Sequence, residues 1–562
     1  MKKLQVSKVF SRGIAVGPVF CVKEVETKIA TYQVNTKEEK DKEIDRFEKA
    51  KEKVLSDLFV VAADNPIFQG HVAIVSDFML TDQVKQKIEA NQNAEAAVSG
   101  AITELKQMFE AMDDEYMRGR AADMVDVGDQ LIAALQNRSN DKFASLNQRS
   151  VIVARDLYPS DTARIDLDKV AGFITEEGGV TSHVSIMAKS LGIPALVGVV
   201  GILDAVEGVD KIVFDAETGE IYLDPDDSFV DEYVAKQKQQ AEQNAKWLEA
   251  ADKPAKTLDG HEVKIYANVG NISDVEKAVA QKCTGVGLFR SEFLYMENDH
   301  FPTEEEQFNA YKQAVETLGG EMIIRTLDIG GDKALTYYTF EAEENPFLGF
   351  RAIRMCLAMP EILITQFKAL LRAAKFGTIK IMLPMLISLD EAKQARELLE
   401  KAKDELQKEG KEFAEQVELG MMIETPAAVM LADDFAKEMD FFSIGTNDLT
   451  QYVLAVDRGN KKINQLYNSF DPAVLRAIST VIDAGHRAGI EVGMCGEFAS
   501  DSLATKLLLG LGLDEFSMAS SETPRIKQMV RELNYEECAK RARDIIKLSS
   551  ASAILEAVKA WN

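Results

Sequence analysis

The sequence predicts an α/β multidomain protein: a mixed α/β domain with a helical bundle inserted in it, followed by a C-terminal (β/α)8 barrel of the TIM type. Three observations carry this expectation. At 562 residues the chain exceeds what one ordinary core can organise, so it divides into several domains. From Thr36 to about Asn140 it is nearly free of strand-like runs, and Ile44, Phe47, Val54, Leu55 and Leu58 fall on one helical face. Farther on, eight short apolar runs recur at helical spacing, the count a closed barrel requires.

Near the N-terminus, residues 13–20 have the texture of a strand. Thr36 and Glu39 form a capping box that opens the helical stretch. From Arg149 the β texture returns in residues 150–154, 171–175 and 211–214. The first strand and these later ones therefore build one domain around the inserted bundle. Residues 231–251, charged and rich in Gln and Lys, read as an exposed connecting helix before Pro254. The barrel strands are expected at residues 263–267, 285–289, 322–324, 379–383, 419–423, 441–444, 491–494 and 515–518, with a capping box at Ser388 and Glu391. A doubly wound open sheet is the alternative, and the count of eight favours closure.

Composition excludes several classes of function. Acidic residues outnumber basic ones 92 to 65, for a net charge of -27, which argues against a general nucleic-acid or anionic-membrane binder and suits a basic protein partner. The five cysteines are scattered, with no C-x-x-C pair, so neither a disulfide framework nor a zinc site is expected. The N-terminal segment lacks a signal-peptide core and no run is long enough to span a bilayer, so a cytoplasmic protein without membrane insertion is expected.

Two sets of residues suggest chemistry. His183 lies in Gly178-Gly179-Val180-Thr181-Ser182-His183, between a strand and a helix expected over 182–190. A helix N-terminus favours an anion, so a phosphate on that imidazole would be stabilised. Taken alone, a loop histidine beside glycines is more often an ordinary surface residue. The second set follows the barrel strands: Arg290, Arg325 and Arg458, the carboxylates Glu424 and Asp448, and Cys495. Barrel topology brings these strand ends to one rim. Arginine forks match phosphate and carboxylate oxygens, two carboxylates suit magnesium, and a thiol near cations can exchange a proton. The bland alternatives are ion pairs for the carboxylates and a small buried hydrophobe for the cysteine.

Gly178-Gly-x-Thr-Ser-His183, Asp156-Leu-x-Pro-Ser-Asp-Thr162, Arg325-Thr-Leu-Asp-Ile-Gly-Gly-Asp-Lys333, Glu344-Asn-Pro-Phe-Leu-Gly349, Phe442-Ser-Ile-Gly-Thr-Asn-Asp-Leu-Thr-Gln-Tyr452, Val456-Asp-Arg-Gly-Asn460 and Met494-Cys-Gly-Glu497 resemble Enzyme I of the bacterial phosphoenolpyruvate-dependent sugar phosphotransferase system. They occur in the family's order over essentially the whole chain. The resemblance implies a swivelling phosphohistidine domain over residues 1–25 and 146–228, a helical domain at 26–145 that binds the carrier protein HPr, a linker at 229–254, and a barrel at 255–562 that binds phosphoenolpyruvate and dimerises. It further implies that His183 takes the phosphoryl group, releasing pyruvate, and passes it to a histidine of HPr. Arg290, Arg325, Asn447, Asp448 and Arg458 would bind substrate, Glu424 and Asp448 would hold Mg2+, Cys495 would protonate the enolate, and Thr162 would hydrogen-bond the active imidazole. The chain departs from the family at Val180, where arginine is usual, and at Val184. Two rivals stay open. An ATP-dependent dikinase would need a nucleotide domain with a glycine-rich loop ahead of Ser150, where helix is expected instead. A non-catalytic homologue would have no need of the intact rim residues. His71 resembles a family position near the carrier surface, while His261, His300 and His486 read as structural or solvated.

Overall fold

A computed structural model describes the chain except residues 7–11, 23–30, 63–65, 111–114, 139–141, 163–164, 179–183, 185–186, 189–191, 297, 331–334, 336, 342 and 461. It forms two compact units, Met1–Glu242 and Gln243–Asn562, each described by itself.

The first unit contains a seven-stranded sheet and five helices of a bundle. The strands are β1 (Lys2–Gln5), β2 (Ile14–Cys21), β3 (Ser150–Ala154), β4 (Val170–Thr175), β5 (Ala195–Leu196), β6 (Lys211–Asp215) and β7 (Glu220–Leu223), in the order β1-β7-β6-β2-β3-β4-β5. As the β texture predicts, β2 lies in one sheet with the strands after residue 149. It runs antiparallel to β6 and parallel to β3. β3 and β4 are buried along their full length, as strands covered on both faces must be, and both are continuous apolar runs rather than alternating ones. Between β2 and β3 the chain forms the helices Lys37–Ala62, Pro66–Ser76, Phe78–Glu89, Ala94–Glu110 and Glu115–Leu135. Glu39 N donates to Thr36 Oγ1 at 3.3 Å and Thr36 N to Glu39 Oε2 at 3.0 Å, closing the expected capping box. The bundle core gathers Phe47, Val54, Leu58, Val84, Ile88, Val98 and Leu131.

The connecting helix spans Asp227–Glu249, beginning before the charged run that announces it. The reason is local: Asp226 accepts hydrogen bonds from Phe229 N at 2.9 Å and Ser228 Oγ at 2.7 Å and so caps the helix earlier.

The second unit contains the barrel. Its strands are β8 (Ala255–Lys256), β9 (Glu262–Val269), β10 (Gly285–Arg290), β11 (Glu321–Arg325), β12 (Ile379–Leu383), β13 (Leu419–Ile423), β14 (Phe441–Ile444), β15 (Glu491–Met494) and β16 (Glu515–Ala519). β9 to β16 are all parallel to their neighbours. The ring closes because β9 pairs with both β10 and β16, which excludes the open sheet; β8 adds an antiparallel hook on β9. All eight expected runs are strands. The Ser388–Glu391 box opens the helix Leu389–Glu409, with Glu391 N to Ser388 Oγ at 3.3 Å and Ser388 N to Glu391 Oε2 at 3.1 Å. Among the described residues no helix is long and apolar enough to cross a membrane.

Candidate active site

The C-terminal ends of parallel strands leave backbone groups to be met by loops, and here the loops carry charge. Arg290 and Arg325 end β10 and β11 and are register partners. Arg325 is buried: its Nη2 donates to Glu292 Oε1 at 2.6 Å and its Nη1 pairs with Asp328 Oδ2 at 2.8 Å. Burial lowers the Arg325 guanidinium, but Asp328, Glu292, Glu424 and Cys495 outweigh it and hold the group above its ordinary value. The strand end beneath it is fixed by a buried network. Ser291 Oγ donates to Arg325 O at 2.6 Å, Gln366 Nε2 to Ser291 Oγ at 3.0 Å, and Leu327 N to Gln366 Oε1 at 2.9 Å.

Asp328 also pairs with Arg351, whose Nη2 lies 2.8 Å from Asp328 Oδ1 and 3.9 Å from Asp448 Oδ2. The strand-end reading missed Arg351. It lies beyond the quoted Glu344–Gly349 motif, ahead of the helix Ile353–Ala358 rather than at a strand end. Its Nε and Nη1 are buried with no hydrogen-bond partner among the described residues, so donors stand ready for a ligand oxygen. The next residue, Ala352, is held at φ 53°, a conformation that costs a non-glycine residue of order 1–3 kcal/mol.

Glu424 follows β13 and is 1 % exposed. Its Oε1 accepts from Met385 N at 2.6 Å, while Oε2 is buried without a hydrogen-bond partner among the described residues. Burial first, then Asp448 and Asp328, push this carboxyl up to about 8, against the pull of Arg325 and Arg351. Asp448 sits in the first turn of the helix Thr446–Leu454 after β14. Its Oδ1 also has no hydrogen-bond partner among the described residues, with Arg458 Nη2 at 3.7 Å. The carboxylates that pair closely with Arg325 and Arg351 are thus Glu292 and Asp328, which leaves Glu424 and Asp448 with uncommitted oxygens. Two such oxygens fit a hard divalent cation that keeps waters and shares ligand phosphate.

Asn447 is fixed at both ends: Glu497 N donates to its Oδ1 at 3.1 Å and Tyr467 OH to its carbonyl at 3.0 Å. Arg458 N donates to Gln451 Oε1 at 3.2 Å, holding the turn after that helix. Cys495, just past β15, is buried with its sulfur 4.0 Å from Ile444 O. Burial pushes the thiol up to about 11, with Ser443 and Arg325 pulling down and Glu515 and Glu424 pushing up. It is therefore held as a thiol at neutral pH.

The barrel rim thus gathers Arg325, Glu424, Asn447, Asp448, Arg458 and Cys495, with Arg290 beside Arg325. Thr162 belongs to the other unit, where it ends the short helix Pro159–Thr162 and is largely buried. His183 and Val180 lie outside the described residues. His71 is fully buried, with its Nε2 3.4 Å from Asp123 Oδ1. His486 meets Asp514 at 2.9 Å, and His261 stacks on Tyr535 with ring centroids 3.8 Å apart.

By fold and site chemistry this is a β/α-barrel enzyme whose mouth is equipped for a small polyanion. Three family models match the chain: PEP-utilising enzyme, N-terminal, at residues 8–120; PEP-utilising enzyme, mobile domain, at 146–219; and PEP-utilising enzyme, PEP-binding domain, at 244–535. The phosphoenolpyruvate-protein phosphotransferase of Priestia megaterium is 42% identical over 560 residues, covering 98% of this chain and 97% of that protein. That of Haemophilus influenzae is 42% identical over 555 residues, covering 97% and 96%. The chain belongs to the phosphoenolpyruvate-protein phosphotransferases, a family of transferases.

Proposed function

We propose that this chain takes the phosphoryl group of phosphoenolpyruvate onto His183, most simply at Nε2, releases pyruvate, and passes the group to a histidine of the carrier protein HPr in the first step of sugar uptake. The observation that carries the reading is the barrel rim, where Arg325 and Arg351, bridged by Asp328, lie with two uncommitted carboxylates and a protonated thiol. Arg290, Arg325 and Arg458, joined by Arg351, would bind the substrate's carboxylate and phosphate, each charge-assisted hydrogen bond contributing about 1.5–3 kcal/mol. Asn447 and Asp448 would orient it. Glu424 and Asp448 would hold Mg2+, which when bound neutralises charge on the departing phosphoryl group. The Cys495 thiol would give its proton to the enolate carbon, and Thr162 would steady the imidazole of His183.

Under the same reading, residues 1–25 and 146–228 carry His183, residues 26–145 receive HPr, residues 229–254 link, and residues 255–562 bind substrate and dimerise. A basic face on HPr would complement the net charge of -27, and the protein would act in the cytoplasm. The test is to incubate the protein with magnesium and phosphoenolpyruvate labelled in its phosphate. Acid-labile label should appear on the protein, vanish in His183→Ala, and move to added HPr. Label that forms only with ATP would replace this reading with the dikinase, and no label under any condition would replace it with a non-catalytic homologue.

A further inference from the structure

Arg351 does not stand on a strand end, so something other than the barrel sheet must place it. Residues 343–352, which carry it, lie between β11 and the helix Ile353–Ala358 and include one short turn of helix, Pro346–Leu348. Side chains fold this segment on itself. Phe350 N donates to Glu343 Oε1 at 2.9 Å, and Gly349 leaves room for that carboxylate, since a Cβ there would collide with Glu343 Oε2. Arg354 Nη1 donates to Leu348 O at 2.7 Å and to Gly349 O at 3.0 Å. Two further bonds attach the segment to the residues just past β11: Ala352 N donates to Ile329 O at 3.0 Å, and Arg351 pairs with Asp328. Ala352 sits at φ 53°, a conformation that persists where surrounding bonds enforce it.

Among the described residues, the hydrogen bond that joins this segment to another strand's loop comes from Tyr452, whose hydroxyl donates to Phe347 O at 2.5 Å. Tyr452 belongs to the helix Thr446–Leu454 after β14, which also carries Asn447 and Asp448. Residues four apart on a helix share a face, so Asp448 and Tyr452 both meet the segment, one through Arg351 and the other through Phe347. The two ties differ in kind. Arg351 Nη2 and Asp448 Oδ2 are 3.9 Å apart, a loose contact, and under the proposed function both groups are drawn on by ligand, the arginine by substrate oxygen and the carboxylate by the cation. The Tyr452 bond has no such second duty. Its ring is packed against the barrel core, which fixes where the hydroxyl points. Burial pushes the phenol up to about 12, with Arg351 pulling down and Asp448, Glu424 and Asp328 pushing up, so it remains a donor at neutral pH.

We propose that Tyr452 is a positioning residue for phosphoenolpyruvate: its hydroxyl, bonded to Phe347 O, sets the separation of Arg351 from Asp448 across which substrate and cation are held. The inference rests on the proposed function, in which Arg351 meets the substrate and Asp448 the cation. Without the hydroxyl the segment keeps its internal bonds and its attachment to β11 but loses its tie to the helix Thr446–Leu454. Only a fraction of molecules then hold the two groups at the binding distance, and apparent affinity falls by that fraction. Once substrate is bound the geometry is the same, so the chemical step keeps its rate.

The test compares Tyr452→Phe with the parent in the full chain. Phenylalanine keeps the packed ring, and Phe347 is only half-buried, so its carbonyl can turn to water. With His183→Ala added to prevent turnover, calorimetric titration of phosphoenolpyruvate with magnesium should show affinity lowered about fivefold, the size of one net hydrogen bond. With His183 present, label from saturating phosphoenolpyruvate should reach the protein at near the parental rate, and thermal unfolding should stay near that of the parent. Arg351→Ala should lower affinity further than Tyr452→Phe does, and combining the two should cost nothing beyond Arg351→Ala alone, because no arginine remains to be positioned. Parental affinity in Tyr452→Phe, with Arg351→Ala weakened, overturns the positioning role and leaves the proposed function standing. A Tyr452→Phe loss that adds in full to that of Arg351→Ala overturns it too, since a merely structural hydroxyl would behave so. Parental affinity in Arg351→Ala removes that arginine from the substrate and this inference with it, without touching the phosphorylation of His183.

Discussion

Cys495 packs with Leu288, Ile323, Met382, Met422 and Phe441 as a small core residue does, and under the proposed function it is also the proton donor. Burial in the barrel pushes its thiol up to about 11, so at physiological pH the sulfur carries its proton, as a donor to carbon must. The raised value also sets a sign for stability. The group's contribution is complete below its unfolded value near 9 and is lost as pH rises through about 11. The expectation at neutral to mildly alkaline pH is chemical inertness. At pH 8, iodoacetamide should alkylate Cys495 in the native protein far more slowly than the half-buried Cys21, and at a comparable rate once denaturant is added. Mass spectrometry of the labelled peptides checks this. Equal native labelling of the two would mean that Cys495 is exposed as thiolate and would remove its assignment as proton donor.

Elements explain which parts of the site were legible. Strand ends in a parallel barrel converge whatever their sequence, so once eight runs are counted, Arg290, Arg325, Glu424 and Cys495 must share a rim. Arg351 escaped because no periodicity marks it. It is brought in through Asp328, from a segment ahead of the helix Ile353–Ala358 whose entry residue Ala352 sits at φ 53°. Local helix signals were more dependable because they are contained within four residues. The Ser388–Glu391 box satisfies two backbone donors at the start of Leu389–Glu409, a helix whose buried face is only Ala392, Ala395, Leu399, Ala402 and Leu406. With so narrow a stripe the cap is a sizeable part of its anchorage. Ser388→Ala should cost about 1 kcal/mol of stability in urea unfolding, with no change in the KM for phosphoenolpyruvate. A loss under a few tenths would show that the helix is held by packing alone.

For the whole molecule, the proposed function requires one histidine to meet phosphoenolpyruvate at the barrel and HPr at the helical bundle, and therefore a rigid-body movement carried by the linker. Under that reading the movement falls to the helix Asp227–Glu249, in which an exposed stretch lies between two anchored ones. Near its start, Phe229 and Tyr233 stack with centroids 4.7 Å apart against Tyr222, and Gln237 Nε2 donates to Ile14 O at 2.7 Å. At its last residue Lys282 Nζ donates to Glu249 O at 3.4 Å, and just past it Lys527 Nζ donates to Ala251 O at 2.9 Å. Residues 241–246 between these anchors are all exposed, so a change there alters reach and phase without removing a core contact. Deleting residues 241–244 withdraws one helical turn, shortening the linker by about 6 Å and rotating one end against the other by about 40°. The two half-reactions demand different geometries, so the deletion should block one and spare the other. Either label from phosphoenolpyruvate no longer reaches His183, or it reaches His183 and no longer passes to HPr, while thermal unfolding stays near that of the parent. Both half-reactions at parental rates in the deletion variant would disprove a swing through this helix.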